Sequence, residues 1–206
     1  MTSESNAEPK LRHDPPDIPG YRLEDRPAIP INRLNLLSFP LALPFGAFFF
    51  VVGAFMQPGD EVVINFSLSR ILILLGIILI GVPVLHEAIH GIVAKILGAR
   101  PFYGIGKGFA YTSFHEAVTP RQYMLITAAP LVVLSLISIA LFPISENWFL
   151  FILAFATTNA AGAIGDLWIL LRVRRLPPNA LIYDLADGYA AFVPEQGSMR
   201  DKTESY

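Results

Sequence analysis

Four long apolar stretches constrain the fold of this chain more than any other feature of its sequence. They cover residues 34–56, 68–97, 123–144 and 148–173. Each reaches the roughly 20 residues that a helix needs to cross about 30 Å of hydrocarbon. Core helices of water-soluble proteins rarely combine this length with this apolarity. We therefore predict an all-α membrane protein with four transmembrane helices.

The composition agrees with this prediction and excludes several classes of function. Hydrophobic residues make up 53% of the 206 residues and charged residues 16%, where a soluble domain carries about 25% charged residues. The net charge of -2 gives no general attraction to nucleic acid. Cysteine is absent, which excludes disulfides, thiolate metal ligands and cysteine nucleophiles.

The segments on either side of the apolar region are predicted to lie outside the membrane. Residues 1–33 are polar and rich in proline, and we predict a largely disordered tail. Residues 34–176 form the predicted membrane domain. Residues 177–206 are predicted to hold a cytosolic β-hairpin, turning at Asp187-Gly188, and a polar tail from residue 195 onward.

Basic residues predict how the chain crosses the membrane. They precede the first helix, lie in the loop between the second and third helices, and follow the fourth helix, whereas the loop after the first helix carries Asp60 and Glu61. The basic residues are Arg22, Arg26, Arg33, Lys95, Arg100, Lys107, Arg121, Arg172, Arg174 and Arg175. The positive-inside rule then places both termini and the long second loop in the cytosol.

The second apolar stretch contains His86-Glu87-Ala88-Ile89-His90, an HExxH motif. Residues four apart share one face of a helix, so both imidazoles can reach one metal ion, with Glu87 placed to accept a proton from water. Ionisable side chains are costly within a membrane helix unless they have a partner. A divalent cation is the natural partner here.

A catalytic zinc site needs a third protein ligand, and Asp166 is the predicted one. Apart from Glu87, Asp166 is the only acid within the four apolar stretches. His86 follows Arg70 by sixteen residues and Asp166 follows Trp148 by eighteen, which correspond to depths of roughly 24 and 27 Å at 1.5 Å per residue. Both helices run inward, so the ligands should meet at one level.

Other residues near the predicted site leave alternatives open. Asn159 lies two turns before Asp166, where it could bind a substrate oxyanion as a catalytic group or form an interhelical hydrogen bond. Gly162 and Gly165 are expected to allow close approach of the HExxH helix. Pro130 is expected to shape its helix and to have no further role.

Three further residues could be mistaken for ligands. His115 begins a second His-Glu pair but falls in the polar second loop, so we interpret it as a loop residue. Asp187 precedes Gly188 in the predicted turn, and Asp184 is a weaker candidate for the third ligand.

An HExxH motif on one membrane helix, an intervening helix and an Asp on the next helix resemble the core of the site-2 metalloproteases. The fuller pattern, HEAIHG, then Ala-Ala-Pro130, then Asn159 through Asp166-Leu167, resembles a small prokaryotic family of zincin-like peptidases. The likeness covers residues 68–193. It implies a multi-pass protein of the prokaryotic inner or plasma membrane, with Zn²⁺ held by His86, His90 and Asp166 and with Glu87 as general base.

The resemblance also implies the substrate, which would be a membrane-anchored protein or peptide. Residues 102–114 are rich in glycine and aromatic residues and correspond to a strand-like element of the site-2 proteases that could hold an unwound substrate. A plain cytosolic loop is the alternative for this segment. For the whole protein, the alternative is a metal-binding membrane scaffold or a small transporter without peptidase activity.

Overall fold

The computed structural model describes residues 11–57, 67–106, 109–144 and 146–195. Within them the chain is mostly helical. The helices are α1 (Ile31–Met56), α2 (Leu68–Gly76), α3 (Val82–Ile96), α4 (Pro120–Leu141), α5 (Phe149–Gly162) and α6 (Ile164–Val173), and the strands are β1 (Tyr21–Asp25), β2 (Phe102–Gly106), β3 (Phe109–Ser113), β4 (Leu181–Leu185) and β5 (Gly188–Pro194). Asp60, Glu61, Lys107 and residues 196–206 lie outside the described residues.

Three helical runs are long and apolar enough to cross a membrane, judged by length and composition. They are Ile31–Met56, Leu68–Ile96 and Pro120–Ile144. The second run joins α2 to α3 through a π-helical segment, Ile77–Gly81. The fourth predicted helix is present but broken at Ala163, where α5 and α6 meet at a bend of 41°. The number of candidate spans is four if this bent pair counts as one.

Local sequence signals explain where α2 and α4 begin. The Thr119 side chain accepts a hydrogen bond from the Gln122 amide, and the Gln122 side chain caps the Thr119 amide in return, which forms a capping box before Pro120. Ser67 caps α2 by accepting from the Arg70 amide. These caps satisfy amides that would otherwise lack a partner at the first helical turn.

The outer faces of the helices carry large apolar side chains that the described part of the chain leaves uncovered. Leu43 on α1 is 77% exposed, Phe55 is 87% exposed and Ile96 on α3 is 76% exposed. A water-soluble monomer rarely leaves such extensive apolar surface uncovered. The fold is therefore compatible with a multi-pass membrane protein.

The strands form two antiparallel sheets. β2 pairs with β3 from Phe102↔Ser113 to Gly106↔Phe109, so the strand-like alternative for the second loop is correct and the plain-loop alternative is wrong. β4 pairs with β5 as the predicted hairpin, with Leu185 opposite Gly188. Gly188 has φ +151°, and a Cβ there would collide with the Pro27 carbonyl, so this position favours glycine.

The prediction of a disordered segment over residues 1–33 is wrong for Tyr21–Asp25. These residues form β1, which pairs with β5 and completes a sheet of order β1-β5-β4. Asp25 fixes the strand by accepting hydrogen bonds from Tyr189 Oη at 2.7 Å and Arg172 Nη2 at 3.0 Å. The stabilising contacts come from residues at least 147 positions away along the chain, which local polarity and proline content do not reveal.

The three-stranded sheet packs against the ends of the helices that carry the predicted site. Its Ile182 and Tyr189 share a core with Ala94 of α3, Ile126 of α4 and Val173 of α6. Val118, just before α4, also pairs with Ile182 in an isolated β-bridge. The segment before α1, the second loop and the segment after α6 therefore assemble on one face of the helical bundle.

Candidate metal centre

The two histidines of the HExxH motif lie side by side on α3. Their ring centroids are 4.9 Å apart, and His90 is 9% exposed. The spacing of four residues places both rings on one face of α3, where His90 meets the backbone of α4 and both rings face Asp166 of α6.

Asp166 reaches both rings from the first turn of α6. Its Oδ2 lies 2.9 Å from His86 Nε2, and its Oδ1 lies 3.4 Å from His90 Nε2. One ligand atom from each residue lies within 4.8 Å of the other two, and this is the one such group of His, Asp and Glu side chains in the part of the chain that the structure describes. The structure thus brings together the three side chains that the sequence predicts as ligands.

The ring nitrogens that face away from Asp166 are both engaged by oxygen acceptors. His86 Nδ1 lies 3.0 Å from Asn159 Oδ1, and His90 Nδ1 lies 2.8 Å from the Ile126 carbonyl oxygen. A carbonyl oxygen can only accept, so in the neutral form each ring carries its proton on Nδ1. Each Nε2 then offers a lone pair. Two imidazole nitrogens and a carboxylate form a donor set that suits zinc, so the residues fit a bound zinc ion.

Asn159 contacts His86 and the backbone of α4. Its side chain is fully buried, and its Nδ2 donates to the Pro130 carbonyl at 3.3 Å while its Oδ1 accepts from His86. These contacts correspond to the interhelical alternative predicted for this residue. The catalytic alternative stays a prediction, since these contacts do not test it.

Glu87 is partly buried and lines a cavity beside the metal-binding group. The cavity has a volume of about 170 Å³ and is also lined by His90 and Asp166. The Thr112 hydroxyl of β3 donates to the Glu87 backbone carbonyl at 2.7 Å, which joins the β2–β3 hairpin to the HExxH helix. The carboxyl group is therefore positioned to exchange a proton with a molecule bound in this cavity.

The same hairpin packs directly against the turn after His90. A Cβ at Gly91 would overlap the Tyr103 ring of β2. Glycine at this position therefore allows the hairpin to lie against α3, next to the second histidine. The apolar side chain of Ile105 in β2 remains 85% exposed.

Asp184 is a further acid in the cavity, a position that the sequence does not predict. It lies on β4 and lines the cavity together with Glu87 and His90. Its carboxylate accepts from Ser113 Oγ at 2.6 Å and from Tyr123 Oη at 2.9 Å. It is not part of the group that could hold a metal. The sequence predicts the hairpin that carries Asp184, but it does not indicate that this hairpin packs beside the site.

The removal of Asp184 from water raises the pKa of its carboxyl group to about 6, although the hydrogen bonds from Ser113 and Tyr123 lower it. The charges of His90 and Glu87 oppose each other in their effect on this pKa. The folded state therefore binds a proton at Asp184 more tightly than the unfolded state does. Stability from this group is gained as the pH falls from about 6 to about 4 and is lost as the pH rises through that range.

Replacing Asp184 by Asn is expected to remove this part of the pH dependence, because Asn does not titrate. Between pH 4 and pH 6, the free energy of unfolding of the wild type should fall by about 1–3 kcal/mol more than that of Asp184→Asn, at roughly 1.36 kcal/mol per pKa unit. Thermal unfolding of the purified protein across this range measures it. Asp187→Asn, in the exposed turn, is the matched control and should follow the wild-type profile. An Asp184→Asn profile parallel to that of the wild type would contradict the assignment.

The other candidate ligands lie elsewhere. His115 is in the loop after β3, as predicted, with its ring 5.0 Å from that of Phe102. Asp187 is exposed in the turn between β4 and β5, also as predicted. Neither belongs to the group of His86, His90 and Asp166.

An HExxH pair, completed by an acid from another helix in a bundle with apolar outer faces, defines a helical protein of the zincin-like class. Comparison with known proteins gives the family. Residues 79–181, half of the chain, match the family model described as "Putative zincin peptidase", and the chain belongs to this family. The description of the family points to peptidase chemistry that uses zinc.

One curated relative comes from Pyrococcus woesei and is described as "Uncharacterized 24.7 kDa protein in gap 5'region". It is 28% identical over 111 residues, which cover 52% of this chain and 49% of the relative. The chain thus spans about half the length of that relative. No solved structure matches this chain.

Proposed function

We propose that this protein is a membrane-embedded zinc metallopeptidase that cleaves peptide bonds of membrane-associated substrates. The observation that carries the proposal is the convergence of His86 and His90 from α3 with Asp166 from α6, beside a cavity that Glu87 lines. Family membership supports peptidase chemistry. The apolar outer faces of the helices support a membrane location.

His86, His90 and Asp166 would hold the zinc ion through two Nε2 atoms and a carboxylate oxygen. A zinc ion bound in this way lowers the pKa of water and polarises a carbonyl group. Asn159 and the Ile126 carbonyl hold the two rings in the orientation that this ligation needs.

Glu87 acts as the general base and then as the general acid. It accepts a proton from the water molecule whose oxygen attacks the peptide carbonyl carbon. It then delivers that proton to the amide nitrogen as the C–N bond breaks, so that water is added across the bond. Structural zinc sites need no such base, and the presence of Glu87 in the cavity therefore favours a peptidase over a scaffold.

The β2–β3 hairpin is proposed to hold the substrate. Peptide bonds in a membrane helix are hidden by their own hydrogen bonds, so a substrate must unwind before cleavage. The hairpin is attached to the HExxH helix through Thr112 and Tyr103. An unwound segment could add to the edge of this hairpin by main-chain hydrogen bonding.

Both termini are proposed to be cytosolic. Pairing of β1 with β5 supports an arrangement with the two ends of the membrane domain on one side, which requires an even number of crossings. The hairpin β2–β3 joins the same assembly through the Ser113–Asp184 hydrogen bond. These are the three segments that carry the excess of basic residues, and this excess indicates the cytosolic side.

Reporter fusions test this topology. A fusion at Tyr206 is expected to report a cytosolic location, and a fusion near Asp60, in the predicted first loop, is expected to report the opposite side. An external Tyr206 fusion would overturn the topology.

Fragment release from a membrane-anchored peptide tests the function itself. The purified protein is reconstituted in lipid vesicles with the peptide, and release is expected from the wild type and about 10²–10⁴-fold more slowly from Glu87→Gln. A scaffold or a transporter would bind metal without releasing a fragment in either form.

A further inference from the structure

Pro130 lies in the middle of α4 and leaves one backbone carbonyl without its helical partner. In an α-helix the amide of residue i donates to the carbonyl of residue i−4. Proline has no amide proton, and its ring also pushes against the carbonyl of residue i−4. The carbonyl affected here is that of Ile126. Both residues are buried, so water does not offer an alternative partner.

The Ile126 carbonyl instead accepts from the HExxH helix. Its oxygen lies 2.8 Å from His90 Nδ1. A buried carbonyl without a partner is costly, and the imidazole N–H satisfies it. The same bond fixes the His90 ring so that Nε2 points toward Asp166.

The carbonyl of Pro130 itself supports the second ring. It accepts from Asn159 Nδ2 at 3.3 Å, and Asn159 Oδ1 lies 3.0 Å from His86 Nδ1. One turn of α4, from residue 126 to residue 130, therefore orients both imidazoles. Only the contact with His90 depends on residue 130 being proline, because every residue has a carbonyl.

We propose that Pro130 is a positioning residue of the metal site, which frees the Ile126 carbonyl to hold His90 as a metal ligand. This role goes beyond the bend that the sequence predicts for Pro130, and it rests on the proposed metal site. An alanine at position 130 would supply an amide proton. The Ile126 carbonyl would then turn back along the helix axis to accept it, and the His90 ring would lose its fixed orientation.

The test compares Pro130→Ala with Pro44→Ala. The control, Pro44, also lies in the interior of a helix, α1. It is exposed and does not belong to the site. Zn²⁺ affinity is measured for both variants and the wild type by competition with a chelator, and thermal unfolding is measured without metal. We expect Pro130→Ala to bind zinc about 10–100-fold more weakly, as is typical when an outer-shell partner of a ligand is lost. We expect its thermal unfolding midpoint to be unchanged or raised, because alanine favours a helix interior more than proline does.

A weaker zinc affinity without a loss of stability separates positioning from a structural role. Wild-type affinity in folded Pro130→Ala, or an equal loss in Pro44→Ala, would overturn the proposal. If the wild type itself binds no zinc, the proposed metal site is wrong. This outcome is distinct from a failure of the role proposed for Pro130. A second measurement does not need the variant to fold: ¹⁵N NMR of zinc-loaded wild-type protein is expected to show His90 bound to the metal through Nε2 and protonated on Nδ1. Zinc bound through His90 Nδ1, with the proton on Nε2, would also overturn the proposal.

Discussion

Glu87→Gln is expected to keep its zinc and to release fragments about 10²–10⁴-fold more slowly than the wild type, the range typical of losing a general base. The two side chains have nearly the same size, so the packing of α3 should not change. Gln has no basic carboxylate, so the attacking water loses its proton acceptor. Zinc content and the initial rate of fragment release are measured on the same preparation.

Glu116→Gln is the matched control for this variant. Glu116 lies in the loop after β3, where its carboxylate accepts from the Arg100 amide at 3.1 Å. The same chemical change at this position should leave the rate of release unaltered. Release by Glu87→Gln at the wild-type rate would show that Glu87 is not the base, and the peptidase mechanism would fail.

Asp166→Ala is expected to lower zinc affinity by more than about 10²-fold, beyond the range typical for outer-shell partners. Asp166 contacts both rings, and its removal leaves two imidazoles, whereas catalytic zinc sites use three protein ligands. Competition with a chelator measures the affinity, and fragment release should fall with zinc occupancy.

Asp187→Ala provides the comparison for Asp166→Ala. Asp187 is an exposed acid of the same type, and its backbone carbonyl, which accepts from the Ile29 amide, is retained in the variant. Wild-type zinc affinity is expected. A comparable loss of affinity in both variants would move the third ligand away from α6 and into the turn between β4 and β5.

The arrangement of the three candidate ligands could be predicted from the sequence because each signal is local or a matter of length. The spacing of His86 and His90 follows from helix geometry, and the depth of Asp166 follows from counting residues along an apolar stretch. The hairpin at Asp187-Gly188 follows from turn chemistry. None of these inferences requires knowledge of a distant contact.

Features that depend on distant contacts were missed. Strand β1 is stabilised by pairing with β5 and by Arg172 and Tyr189, which the polar composition of residues 1–33 does not reveal. Asp184 enters the cavity because the three-stranded sheet packs on the helix ends.

The break in the fourth helix was also missed, and with it the roles of two glycines. Gly162 and Gly165 were expected to bring the HExxH helix close, and this expectation is wrong: a Cβ at either position would meet nothing within 4 Å. They flank the bend at Ala163 instead. Glycine in a helix interior is typical of both close packing and bends, and the sequence does not distinguish them.

The role proposed for Pro130 illustrates a different limit. The acceptor for His90 is a backbone carbonyl, which every residue has, so no side-chain pattern marks it. Its availability follows from a missing amide proton four residues later. The sequence shows that the carbonyl four residues before Pro130 lacks its helical donor. Only the packing of α3 against α4 shows which side chain donates to it instead.

The most direct test of the central claim measures zinc content and fragment release together for wild type, Glu87→Gln and Asp166→Ala in the same vesicles with the same membrane-anchored peptide. We predict zinc and release for the wild type, zinc without release for Glu87→Gln, and neither for Asp166→Ala. Release that persists in Asp166→Ala without zinc, or wild-type release by Glu87→Gln, would contradict the proposal of a zinc peptidase centred on His86, His90 and Asp166.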